Sequence, residues 1–221
     1  MTARPLTRAG FIAALTGAMV VAAAPEALAA RNQNAEQYVQ TNAVSALAAL
    51  GNRSVSGAQR DATFHQLMAQ LADLPRVAVY VLGRYGTQLR ADPTLRADWN
   101  RAFEDYSIAT YQAQMESFSG GRIQVTGSTE LSADRDVIVN SRITPKSAAP
   151  VTVQWRVLRS GTVWKVTDVA ILNTGGQIWL AQQQQQDFLA ALDRNHGNIR
   201  ALISEVQNLT SRLRREAMAR N

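Results

Sequence analysis

The sequence predicts an α+β protein: a curved antiparallel four-stranded meander with helices packed on one face, cone-like in outline. Three observations carry this. Apolar residues recur at helical spacing as far as Gly121, the period then changes to two as far as Leu172, and helical spacing returns from Leu180. Helices first, strands next and helices last is the α+β order. The four strand-like segments follow one another with short polar or Gly-containing turns, which makes an antiparallel meander with one covered face. No internal repeat interrupts this order.

Residues 1–29 read as an export signal. Arg4 and Arg8 form a basic start, Phe11 to Ala24 is an apolar run, and Ala27-Leu28-Ala29 supplies a small-x-small cleavage site. The run is too short and too Ala-rich for a spanning helix, although an uncleaved membrane anchor is the alternative reading. Arg4 and Arg8 are not adjacent, which gives a twin-arginine route little support. The chain has no Cys, so a lipoprotein anchor and a disulfide framework are both excluded. Cleavage after Ala29 leaves residues 30–221, enough for one domain with a sizeable core, in the periplasm.

The first helical segment, Asn34 to Leu50, carries Val39, Ala43, Leu47 and Leu50 on one stripe. Gly51 to Gly57 is a polar break. Ser56 with Gln59 forms a capping-box pattern, and Phe64, Leu67, Met68 and Leu71 then fall on one face. Pro75 suits a first helical turn, so Val77 to Tyr85 is expected as a separate short helix ended by Gly86. Asp92-Pro93 opens a long helix with Trp99, Phe103 and Tyr106 on one stripe, closed by Gly120-Gly121.

The strands are "RIQVTGSTEL", "DVIVNSRIT", "PVTVQWRVL" and "VWKVTDVAIL", rich in β-branched and aromatic residues. In the third, Val151, Val153, Trp155 and Val157 face one way, and Thr152, Gln154 and Arg156 the other. Helices follow over Leu180 to Leu192 and from Ile199, where Leu202, Ile203, Val206 and Leu209 continue a stripe. The Gln182–Gln186 run reads as a solvated face.

Chemistry is sparse. The formal net charge is +6, and Arg212, Arg214, Arg215 and Arg220 crowd the last ten residues, where they suit a helix C-terminus, with attraction to an anionic membrane surface as the alternative reading. No aromatic-plus-basic pattern suggests nucleic acid as a partner. His65 and His196 are far apart and lack metal-ligand spacing, so no metal or cofactor is expected. Neither G-x-S-x-G, nor a P-loop, nor a Rossmann glycine pattern occurs. The acidic pairs Glu104-Asp105 and Asp134 with Asp136 read as solvated. Asp168 stands apart, a carboxylate among apolar strand residues that needs hydrogen-bond partners or carries a raised pKa. It is either a strand-end acid bonded to backbone or to an arginine, or a general base in a pocket.

The stretches "LADLPRVAVYVLGRYGTQL", "RADWNRAFEDYSIATYQAQMESFSG", the meander and "WKVTDVAILNTGGQIWLAQQQQQDFLAAL" carry a resemblance over nearly all of residues 30–221. In order and spacing the chain resembles the periplasmic phospholipid-binding family of the Mla lipid-transport system, the MlaC or toluene-tolerance family, which includes a hopanoid-associated branch. "VLGRY" at Val81–Tyr85 and "W-x-V-x-D-V" at Trp164–Val169 are its most specific pieces. One departure is clear: Gln184 and Gln185 stand where family members often have an aromatic-basic pair.

The resemblance implies a carrier, not an enzyme, that holds acyl chains of a phospholipid or hopanoid-type lipid between sheet and helices. Its partners would be an outer-membrane lipid complex and an inner-membrane transporter of the mammalian-cell-entry class. The implied wall residues are Val77, Tyr80, Val81 and Tyr85 on the short helix and Phe103 and Tyr106 on the long one. From the strands come Val151, Val153, Trp155, Trp164 and Val166. Two rivals stand beside this reading: a small cone-fold enzyme using Asp168, and a ligand-free envelope adaptor.

Overall fold

The computed structural model describes residues 30–220 apart from 53, 116, 117, 119, 147, 174 and 175. Arg4, Arg8, the apolar run and Ala27–Ala29, on which the export reading rests, lie outside the described residues.

Helix α1 spans Gln33–Gly51. Asn32 caps it, its Oδ1 accepting from the Ala35 N–H at 2.9 Å, while its own N–H donates to Ser128 Oγ at 2.8 Å. The buried stripe Val39, Ala43, Leu47 and Leu50 then packs against the sheet and the next helix. Helix α2, Gly57–Leu71, starts at the expected capping box of Ser56 and Gln59 and buries Phe64, Met68 and Leu71.

The next segment departs from expectation. Helix α3 spans Leu74–Tyr80, capped by Asp73 with Pro75 in its first turn, and it ends before the VLGRY motif begins. A 3₁₀ helix follows at Gly83–Thr87, then a single turn, α4, at Gln88–Ala91. Gly83 causes the break: its φ of +49° is left-handed, and a Cβ there would stand 3.2 Å from Leu189. Gly86 is buried inside the 3₁₀ turn and does not end a helix.

Helix α5, Pro93–Met115, forms the spine. Trp99 and Phe103 on α5 surround Phe188 with ring centroids 5.7 and 6.4 Å away, and Tyr106 closes the cluster at 5.8 Å. The Trp99 indole N–H donates to the Ala78 carbonyl at 2.7 Å, tying α5 to α3.

The sheet holds five strands, one more than the sequence reading gives: β1 Arg122–Ser132, β2 Asp136–Thr144, β3 Val151–Ser160, β4 Val163–Asn173 and β5 Gly176–Trp179. Their spatial order is their sequence order and every pairing is antiparallel. The extra strand, GQIW, is too short to show alternation and pairs only with Ala170–Asn173. Where β5 falls short, the link between α2 and α3 runs along the free edge of β4. Ala72 bridges to Val166, and the Asp73 N–H donates to the Val166 carbonyl at 2.8 Å.

At the opposite edge, α1 covers β1. The Gln40 amide accepts from the Val125 N–H at 2.9 Å and donates to the Ile123 carbonyl at 3.2 Å, standing in for a neighbouring strand. Helices α6, Leu180–Arg194, and α7, Ile199–Arg220, complete the helical layer, with α7 lying along α5.

Candidate functional site

Sheet and helices do not close completely. Between them runs a narrow apolar crevice of about 800 Å³ including its open mouth. On the helical side it is lined by Ala43 and Ala46 of α1, Met68 and Leu71 of α2, Leu74 and Val77 of α3, and Tyr111 of α5. On the sheet side stand Ile143, Val153, Trp155 and Ile171, with the consecutive run Val166 to Val169.

That run breaks the strand rule that alternate residues share a face. Arg156 pairs with Asp168 and Val157 with Val166, so Thr167 is an extra residue in β4. Such a bulge bends its strand and re-aims side chains, which brings Thr167 and Asp168 into a sheet side that is otherwise hydrocarbon. Trp155 meets the crevice with its polar edge satisfied: its indole N–H donates to Ser141 Oγ at 2.8 Å.

Asp168 serves the fold. Its Oδ1 accepts from the Val169 N–H at 2.8 Å and from the Ala181 N–H at 2.9 Å. Trp179, at the cap position of α6, has no side-chain acceptor to offer, so the neighbouring strand supplies the anion that the start of α6 needs. Burial pushes the Asp168 pKa up, opposed by the two backbone N–H groups and the Arg156 charge. Burial, helped by the Asp168 charge, also pushes the Tyr111 hydroxyl up. A general base needs a free, accessible oxygen, and half of this carboxylate is committed to backbone.

Of the residues expected in the wall, Val77, Val153, Trp155 and Val166 line the crevice. Val81 is 0% exposed but faces the core instead. Tyr80 is 44% exposed, and its carbonyl accepts from Gln185 Nε2 at 2.6 Å. Tyr85 packs on the turn between α6 and α7, where its hydroxyl donates to Asp193 at 2.6 Å and Arg84 pairs with the same carboxylate. Phe103 belongs to the aromatic cluster, Val151 is half-buried where β3 begins, and Trp164 is buried with the Arg159 guanidinium 5.8 Å above its ring. Tyr106 is half-buried beside a second recess between α5 and α6.

The walls from α1 and α2 were not anticipated, because their apolar stripes look like any core face. The Gln run is also corrected: Gln182, Gln183 and Gln186 are exposed, but Gln184 is 8% exposed. Its spacing from Ala181, Phe188 and Ala191 places it on the buried stripe of α6, and that spacing was the available signal. His65 approaches Glu104 at 3.8 Å, and His196 occupies the α6–α7 turn at a φ of +52°. Among the described residues no group of three metal-ligating side chains occurs, and no helix is long and apolar enough to cross a membrane.

A family model described as MlaC protein matches residues 37–208. Among solved structures, the chain is similar to a phospholipid-binding protein from Ralstonia solanacearum in complex with a phospholipid. The TM-score is 0.69 at 22% identity, covering 81% of this chain and 98% of that one. No curated protein matches.

Proposed function

The chain belongs to the MlaC protein family, and on that premise we propose that it is a phospholipid carrier whose acyl chains lie in the crevice between sheet and helices. The observation that carries this reading is the wall itself: mostly hydrocarbon side chains from five helices and three strands, with polar groups limited to Thr167 and Asp168 on the bulge and to Tyr111 and Gln114 on α5. A carrier must shield hydrocarbon from water and release it unchanged, so it needs area and no reactive group. Each buried CH₂ contributes about 0.8 kcal/mol, so two tails contribute on the order of 20 kcal/mol before ordering costs.

In this proposal residues 1–29 direct export to the periplasm and are removed. The mature chain then moves phospholipid, or a hopanoid-type lipid, between an outer-membrane lipid complex and an inner-membrane transporter of the mammalian-cell-entry class. Native mass spectrometry of the exported protein tests the central claim. A co-purified lipid of phospholipid mass is the expected result, and protein free of lipid after mixing with phospholipid vesicles overturns it. Amino-terminal sequencing of the same sample is expected to begin at Ala30; retention of Met1 on a membrane-bound form overturns the export proposal.

A further inference from the structure

The crevice has a polar neighbour. A recess of about 420 Å³, including space open to solvent, lies between α5 and α6 and shares Tyr111, Gln114 and Leu180 with the crevice wall. Its remaining lining is Tyr106, Thr110, Gln183, Gln184 and Asp187. No Lys or Arg is among the residues that line it. Asp187 is exposed and has no ion-pair partner among the described residues. Gln184 is buried, and its Oε1 has no hydrogen-bond partner among the described residues. A buried acceptor without a donor is costly, and any group that brings a donor to it relieves that cost.

We propose that this recess receives the head group of the lipid whose tails occupy the crevice, and that it selects a head bearing an ammonium over an anionic head. The inference rests on the carrier reading. The chemistry follows from the lining: one carboxylate, one orphaned amide oxygen and two tyrosine hydroxyls offer acceptors, while no cation is present to hold a bare phosphate. An ammonium has three donors and a charge that complements Asp187. An anionic head would meet Asp187 with like charge.

The test loads the delipidated exported protein from vesicles containing equal amounts of phosphatidylethanolamine, phosphatidylglycerol and phosphatidic acid, then counts the lipids extracted from it. Phosphatidylethanolamine is expected to exceed phosphatidic acid by about fivefold, the scale of one exposed charge pair with one hydrogen bond. The preference should shrink as salt rises, because Asp187 is exposed. Asp187→Lys should invert the ratio toward the anionic lipids, and Gln184→Met should narrow it. Loading in the vesicle proportions, equal loading of phosphatidylethanolamine and phosphatidylglycerol, or an unchanged ratio in a folded Asp187→Lys protein overturns the head-group assignment and leaves carriage standing. Failure to load any lipid overturns both.

Discussion

The ring of Tyr85 lies on the backbone of Gly197 so closely that a Cβ at position 197 would stand 2.6 Å from Tyr85 Cε1. The contact joins the VLGRY motif to the turn between α6 and α7, and Gly197 meets it at a φ of +77°. Gly197→Ala therefore suffers both a left-handed backbone and a clash with a ring. It should lose about 2–4 kcal/mol in urea unfolding. Tyr85→Phe keeps the packing and gives up the hydroxyl's exposed bonds, one donated to Asp193 and a longer one accepted from Arg84, so its loss should stay within about 1 kcal/mol.

Asp168→Asn and Asp168→Ala should separate. The asparagine keeps an oxygen for the Ala181 N–H and removes a desolvated charge, whereas alanine leaves that N–H without its acceptor and should cost about 1–3 kcal/mol. The pH dependence follows from the raised folded-state pKa. Between the unfolded and folded values the native state binds more protons than the unfolded state, so this residue's contribution is fully present below the unfolded pKa and is lost as pH rises through the folded one. Melting curves from pH 3 to 7 should show the wild type losing ground to Asp168→Asn as pH increases. A constant difference in melting temperature would contradict the assigned burial.

Val77 and Val79 sit on the same short helix but face opposite ways: Val77 lines the crevice, and Val79 is 44% exposed. Val77→Glu places a carboxylate among hydrocarbon and should reduce lipid retained per protein by about tenfold or more. Val79→Glu should leave retention unchanged and alter stability by no more than about 0.5 kcal/mol. Circular dichroism on both variants checks that the fold survives. Equal retention in the two would remove α3 from the lipid wall.

Gln40 guards the edge of β1. Gln40→Ala frees the Val125 N–H and the Ile123 carbonyl, which should cost about 1–2 kcal/mol and expose a strand edge that can pair with another chain. Sedimentation over a range of concentrations is the measurement, and the variant should self-associate where the wild type stays monodisperse.

Much of the architecture was legible because two periodicities are clean. The alternation of Val151, Val153, Trp155 and Val157 marks a half-covered strand, and Phe64, Met68 and Leu71 mark a helix face. What escaped was decided by contacts remote in sequence. GQIW becomes a strand only because β4 offers it an edge, and the apolar run through Val81 and Leu82 hides a break set by the backbone of Gly83. The crevice was legible only in part for the same reason. Ala43 and Ala46 share a stripe with Val39 and Leu47, and nothing along α1 distinguishes the two that meet open space from the rest of the core. Thr167 and Asp168 enter through a bulge, which a pattern of strict alternation conceals.

The indole of Trp155 gives the molecule an optical readout of its own interior. Trp155 borders the crevice, whereas Trp99 is locked against Ala78 and Phe188, Trp164 lies under Arg159, and Trp179 leads into α6. An indole emits at shorter wavelength when hydrocarbon replaces water around it. The part of the emission abolished by Trp155→Phe therefore isolates one fluorophore in contact with the cargo space. Following that difference signal while lipid-loaded protein meets acceptor vesicles would time the departure of cargo without any attached dye.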